Sequence, residues 1–132
     1  MQFIRFHILT CDQGCLSKVF LYRRCRFEGV RMKRKLGIYV TSDQHLDKLS
    51  KLCRAAKKKD VEVSIFLTHI GTRLSKEPQF KELTELARVA LCTVALEDSK
   101  LEKPVDGLDE KGFSSQSWHV EMLRDCDRYL TF

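Results

Sequence analysis

Short apolar runs alternate along the chain with segments of helical periodicity. Four runs are rich in β-branched and aromatic side chains, which favours strands: residues 36–41, 61–67, 88–94 and 128–132. A polar segment with two glycines and a proline, residues 97–114, separates the last two runs. We interpret it as a long connection, and such connections often carry function.

The segments between the runs predict three helices, each with one apolar stripe. Ser42 is expected to cap the first helix, Pro78 to lie in the first turn of the second, and Ser114 or Ser115 to cap the third. Their stripes are Leu46, Leu49, Cys53 and Ala56; Phe80, Leu83, Leu86 and Ala87; and Trp118, Met122 and Cys126, with Leu123 adjoining. Since they lie on these stripes, Cys53 and Cys126 are expected in the core.

The order of elements predicts an α/β fold, a three-layer flavodoxin-like domain with a mostly parallel sheet. We expect a strand order of about 2-1-3-4, in which the first and third strands are neighbours. Their connections would leave to opposite sides and open a crevice at their carboxyl ends, where such sheets bind ligands. Thr41, Ser42 and Asp43 would line one wall and Cys92 the other, with His69 at the rim.

Cys92 is the most informative residue, because it lies near the carboxyl end of the third apolar run. A thiol at the carboxyl end of a parallel strand is placed for chemistry, and a short helical turn over residues 95–100 would direct amides at the sulfur. The alternative is that Cys92 fills space in the core, as free cysteines often do.

Charge is unevenly distributed. The chain carries 24 basic and 18 acidic side chains, a net charge of +6, and the excess is concentrated in residues 1–31. Lys57, Lys58 and Lys59 form a basic run where the first helix ends, which suits the helix dipole. No nucleic-acid module is recognisable, and no apolar run reaches the length of about 18 residues that crosses a bilayer. We expect neither a nucleic-acid nor a membrane partner.

Residues 1–31 differ from the rest of the chain, residues 32–132, which we predict to be one domain. The Met32 start runs directly into a strand, so we hypothesise that translation begins there. An authentic extension and a transit peptide are the alternatives. His7, Cys11, Cys15 and Cys25 could supply four zinc ligands, but their spacing is loose for a structural site, so no metal is predicted.

The six cysteines, without a secretory signal or a disulfide-type spacing, indicate free thiols and a cytoplasmic location. No cofactor is predicted. Cys92 has no second thiol at Cys-x-x-Cys spacing, as a disulfide reductase needs. The segment after Gly71 lacks the spacing of a phosphate-binding loop, and Asp43 alone is too few acids for a receiver module.

Residues 32–132 resemble the DsrE/DsrF-like (TusD-like) family of small sulfur-relay proteins. Four features carry the resemblance: the Met-Lys-Arg-Lys start leading into LGIYVTS, the strand VEVSIFL ending near a glycine, Cys92 ending the strand VALC, and the final DRYLTF. The resemblance implies a flavodoxin-like fold, a homo- or hetero-oligomer that is often a trimer or hexamer, and a Cys92 that receives sulfane sulfur as a persulfide for transfer to a partner.

Two functions therefore stay open. The first is a sulfur carrier or sulfurtransferase-like protein acting through Cys92, with donor and acceptor proteins as partners. The second is a non-enzymatic oligomeric module that binds a small ligand or protein in the same crevice. For either, the binding residues expected around Cys92 are Thr41, Ser42, Asp43, Thr68, His69, Gly71 and Thr93.

Overall fold

A computed structural model describes residues 33–132 of the chain. The hypotheses made for residues 1–31, including the start at Met32 and the four possible zinc ligands, lie outside the described residues. Among the described residues, no helix has the length and apolar character to cross a membrane.

The described residues form five strands and four α-helices. The strands are β1 Arg34–Val40, β2 Val61–Leu67, β3 Arg88–Cys92, β4 Phe113–Ser114 and β5 Arg128–Thr131. The α-helices are α1 Leu46–Lys58, α2 Phe80–Leu86, α3 Thr93–Asp98 and α4 Gln116–Asp125. Two 3₁₀ helices, His69–Lys76 and Glu110–Gly112, lie in the connections.

The predicted helical stripes are confirmed for α1, but its cap is not. Leu46, Leu49, Cys53 and Ala56 are all buried. The helix begins after His45, whose side chain makes no capping bond, and Ser42 instead accepts a hydrogen bond from the Gln44 amide at 3.3 Å. Ser42 therefore stabilises the turn before the helix, because three residues separate it from the first helical residue.

The last helix begins as predicted, at the second of the two candidate serines. Ser115 is the N-cap of α4, and its side chain accepts a hydrogen bond from the Ser117 amide. Met122 is buried, but Cys126 is only partly buried and Leu123 is 43% exposed. The expectation of a core Cys126 was therefore wrong, since this residue follows the helix and lies at the border of the sheet.

The sheet is entirely parallel, in the order β4-β3-β2-β1-β5. The predicted α/β class with a parallel sheet is confirmed, but the predicted order 2-1-3-4 is wrong. β2 lies between β1 and β3, so the first and third strands are not neighbours. The two-residue strand β4 was not predicted, because so short a segment has no apolar period.

The order follows from the faces that the helices cover. α1 and α2 pack on one face, over a core of aliphatic side chains from β1, β2 and β3. Consecutive right-handed crossovers on one face carry the chain in one direction across the sheet. α4 packs on the opposite face, so the chain reverses and places β5 on the far side of β1. The topological switch point therefore lies between β1 and β5.

The face under α4 has a different composition from the aliphatic face. Its fully or nearly fully buried residues are Phe66, Ala90, Cys92, Ala95 and Met122, with Tyr39, Trp118 and Tyr129 packed around them. Small and aromatic side chains alternate there, and this lets the aromatic side chains of α4 reach the sheet. We call this set the aromatic face.

Candidate functional site

The residues predicted from the sequence to form a site do lie at one edge of the sheet. In the strand register Val40 is paired with Leu67, Leu67 with Leu91, and Cys92 with Ser114. The carboxyl ends of β1 to β4 are therefore level. Thr41, Ser42, Asp43, Thr68, His69, Gly71, Cys92 and Thr93 all follow or end these strands.

The ends of β1 and β2 are joined by backbone hydrogen bonds rather than separated by a crevice. The Thr68 amide donates to the Val40 carbonyl at 2.9 Å, and the Gly71 amide donates to the Thr41 carbonyl at 3.1 Å. A Cβ atom built on Gly71 would lie 2.7 Å from the Val40 oxygen. Gly71 is thus required for close packing of two backbones, and its φ is not in the left-handed region.

The switch point between β1 and β5 is also closed at this edge. The Thr41 amide and hydroxyl both donate to the Phe132 carbonyl, at 2.8 and 3.1 Å. His45 contacts the Phe132 ring edge-on, with the ring centroids 6.2 Å apart. Thr41, predicted as a ligand-binding residue, therefore uses its hydroxyl to hold β5 against β1.

Polar and charged side chains form the rim of this edge. Asp43 lies 4.0 Å from Arg73, at the limit of an ion pair. His69 is exposed and has a φ of +52°, and its carbonyl accepts a hydrogen bond from the Thr72 hydroxyl at 2.8 Å. His69 lies at this rim, and its backbone conformation turns the chain out of β2.

Cys92 ends β3 and is the N-cap residue of α3, but its side chain is only 5% exposed. The sulfur belongs to the aromatic face, together with Phe66 and Met122. The next residue, Thr93, donates its hydroxyl to the Ser114 carbonyl at 3.3 Å. A helical turn does follow Cys92, but it spans Thr93–Asp98 rather than the predicted residues 95–100.

The other two described thiols lie elsewhere. Cys53 is fully buried under α1, and burial raises the pKa of its thiol to about 11. Burial also raises the pKa of Cys126, whose sulfur packs against Gly37 in β1. In the strand register Gly37 is level with Arg88, four residues before Cys92 and about 13 Å away along the sheet. Cys92 and Cys126 are therefore too distant for a disulfide, which needs Cα atoms within about 7 Å.

A stacked aromatic cluster on this face was missed by the sequence analysis. The His119 ring stacks on Tyr39 and Phe66, with centroids 4.3 and 5.7 Å away. Its Nε2 is 3.0 Å from the Tyr129 hydroxyl. Burial lowers the pKa of His119 and raises that of Tyr129. In the sequence, this cluster was indicated only by the spacing of Trp118, His119 and Met122, which places them on one side of a helix.

Cavities occur at the opposite end of the sheet. Two lie near the amino ends of β1, β2 and β3, and they share Lys35, Ser64, Arg88 and Asp125 in their lining. None of the residues predicted for the site lines either cavity. No cluster of three or more potential metal ligands occurs within residues 33–132.

Compared with models of known protein families and with functionally curated proteins, the sequence gives no match. The resemblance to the sulfur-relay family therefore rests on the four features of the sequence alone. The fold is compatible with it only at the level of a parallel α/β sheet flanked by helices.

Proposed function

We propose that this domain is a DsrE/DsrF-like sulfur carrier that accepts sulfane sulfur on Cys92 and passes it to a partner protein. The observation that carries the proposal is the position of the three described thiols. Cys92 lies at the carboxyl edge of the parallel sheet, whereas Cys53 is in the core and Cys126 is at the opposite edge. The carboxyl edge is where open α/β sheets hold reacting groups.

The chemistry conserves electrons. The Cys92 thiolate attacks the outer sulfur of a donor persulfide, so a new S–S bond forms at Cys92 while the donor's S–S bond breaks. The donor leaves as a thiolate. An acceptor thiolate then attacks the outer sulfur of the Cys92 persulfide in the same way and releases the Cys92 thiolate. Neither a cofactor nor an oxidant is needed.

Burial of Cys92 means that transfer requires local opening. Besides the backbone pairing of β4 with β3, two long side-chain hydrogen bonds connect β4 and α4 to the edge around Cys92: Gln116 Nε2 donates to Thr68 Oγ1 at 3.5 Å, and Thr93 Oγ1 donates to the Ser114 carbonyl at 3.3 Å. Bonds of this length are weak. We propose that docking of the donor or acceptor displaces this segment and exposes the sulfur.

The test is peptide-resolved mass spectrometry of the full chain after incubation with glutathione persulfide. We expect one added sulfur on the Cys92 peptide, removable by dithiothreitol and lost in Cys92→Ser and Cys92→Ala. The matched controls are Cys53→Ser and Cys126→Ser, which should still take up sulfur at Cys92. Circular dichroism checks that each variant is folded. Sulfur found only on other cysteines, or none, contradicts the proposal.

The second candidate is a binding module without sulfur chemistry, and the 5% exposure of Cys92 favours it. In that case the thiol contributes packing to the aromatic face. Iodoacetamide distinguishes the two. In a sulfur carrier, the Cys92 thiol is alkylated in the native state, and its alkylation is faster when a persulfide donor protein is present. A Cys92 that reacts only in urea, while Cys126 reacts natively, supports the binding module.

For either function we propose a homo-oligomer, a trimer or hexamer. Support comes from α4, which leaves Val120 46% and Leu123 43% exposed on its outer side. Large apolar side chains so placed are common at interfaces between subunits. Light scattering coupled to size exclusion measures the mass, and Leu123→Glu should lower it, whereas Val94→Glu on α3 should not. A monomeric wild-type chain contradicts this proposal.

A further inference from the structure

A groove lies between α4 and the sheet, next to the first residues of β1 and β3 and the middle of β2. Its volume is about 190 Å³. That is the liquid volume of about six water molecules, so it suits a small molecule rather than a peptide. Its charged, hydroxyl and indole lining comes from Lys35, Ser64, Arg88, Trp118, Glu121 and Asp125.

The four charges of the groove are not all neutralised by one another. Lys35 Nζ and Asp125 Oδ2 form an ion pair at 2.6 Å. The side chains of Arg88 and Glu121, by contrast, form no ion pair or hydrogen bond with any residue between 33 and 132. The groove therefore offers one unpaired cation from the sheet and one unpaired anion from the helix.

The Arg88 guanidinium is held in place and has the Ser64 hydroxyl group beside it. The Arg88 guanidinium lies 5.3 Å from the centre of the Trp118 ring, an arrangement that fixes the side chain while leaving its N–H donors available. Ser64 is the register partner of Arg88 on the adjacent strand. Its hydroxyl makes no hydrogen bond within residues 33–132. The Arg88 guanidinium offers two parallel N–H donors and Ser64 offers one hydroxyl donor. This set of donors suits a carboxylate.

We propose that this groove binds a small zwitterion, a free amino acid with an uncharged side chain. The carboxylate binds Arg88 and Ser64, the ammonium group binds Glu121, and the side chain packs on Trp118 and Met122. A simple anion would leave Glu121 unpaired next to it, and a simple cation would leave Arg88 unpaired. Only a ligand that carries both charges can pair with Arg88 on the sheet and with Glu121 on the helix.

Trp118 provides a direct assay, because it is the single tryptophan of the chain. Its fluorescence is measured on the full-length protein during titration with the uncharged L-amino acids, L-leucine first. We expect a saturable change. Isocaproate, which lacks the ammonium group of leucine, and isoamylamine, which lacks its carboxylate, should each bind at least about tenfold more weakly, since each loses a charge-assisted hydrogen bond.

Substitutions of Arg88 and Glu121 test the same assignment. Arg88→Gln and Glu121→Gln should each weaken binding about tenfold, by the same reasoning. The matched controls are Arg124→Gln and Glu97→Gln, exposed residues outside the groove, which should bind as the wild type does. Because Arg88→Gln alters the surroundings of Trp118, calorimetry repeats the titration with that variant.

Three results would overturn the inference. These are no saturable response to any uncharged amino acid up to about 10 mM, an affinity for isocaproate equal to that for L-leucine, or unchanged binding in both Arg88→Gln and Glu121→Gln. The inference is independent of sulfur transfer. Arg88 and Cys92 are at opposite ends of β3, so loss of binding in Arg88→Gln leaves persulfide formation at Cys92 to be judged separately.

Discussion

Replacement of Gly71 by alanine tests how tightly the carboxyl edge is closed. A methyl group on Gly71 would lie 2.7 Å from the Val40 oxygen and 3.1 Å from the Val40 carbonyl carbon. These atoms are backbone atoms at the end of a central strand, so they cannot rotate away as a side chain would. Relief requires the 3₁₀ helix to move away from β1.

The magnitude follows from two contributions. Overpacking a tightly packed site costs about 1–3 kcal/mol of unfolding free energy. The same movement lengthens the bonds from the Gly71 amide to the Thr41 and Thr68 carbonyls, 3.1 and 3.0 Å long, and each such bond contributes about 1 kcal/mol. We therefore expect Gly71→Ala to lower the free energy of unfolding by about 2–4 kcal/mol.

Urea unfolding followed by Trp118 fluorescence and circular dichroism measures this loss. Gly37→Ala is the matched control, because its methyl group would lie 3.0 Å from the Cys126 sulfur, a side-chain atom. Its smaller loss should be relieved by Cys126→Ala, whereas Gly71→Ala should not respond to that second change. Alanine normally stabilises a protein by about 0.4–1 kcal/mol at a glycine it can replace without strain. A Gly71→Ala protein as stable as the wild type would refute the close approach.

Three further predictions concern the rest of the domain. Since burial lowers the pKa of His119 in the folded state, protonation favours unfolding, and stability should fall as the pH drops below about 6.5; His119→Phe should flatten this slope in urea melts across pH 5–7.5. Native alkylation should reach Cys126 well before Cys53, which is fully buried with a pKa of about 11, as mass spectrometry over time will show. Thr72→Val removes a hydroxyl that bonds the His69 carbonyl and the Ser99 side chain, and thermal melts should show a loss of about 1–3 kcal/mol.

The strands and the α1 stripe were predictable because their periods are long and regular. β2 has the bounds that its apolar run predicts, and Cys92 ends β3 as expected. The strand order was not predictable in the same way. A βαβ unit fixes the hand of a crossover, but it does not fix which face of the sheet the next helix covers. The relevant signal was the contrast between aliphatic positions such as Ile65 and aromatic ones such as Phe66 on the two faces.

The residues predicted for the site share one end of the sheet, but they do not surround the predicted crevice. All eight residues lie at one edge, since the carboxyl ends of parallel strands are level. The predicted crevice is absent, because β2 lies between β1 and β3 and because the Thr41 hydroxyl bonds the Phe132 carbonyl across the switch point. The groove under α4 was not foreseen, since its charges come from strand beginnings and from a helix far away in sequence.

The two ends of the sheet differ in what they leave unsatisfied, and this difference determines what each can bind. At the carboxyl edge the backbone amides of Thr41, Thr68 and Gly71 already have carbonyl partners, so a ligand there must first displace protein groups. At the amino edge Arg88 and Glu121 face a preformed groove without displacing anything. Preorganised, unpaired groups favour a small ligand that binds without rearrangement, whereas a buried thiol favours a protein partner large enough to open the edge. The two proposed kinds of recognition would therefore take place at opposite ends of the central strands.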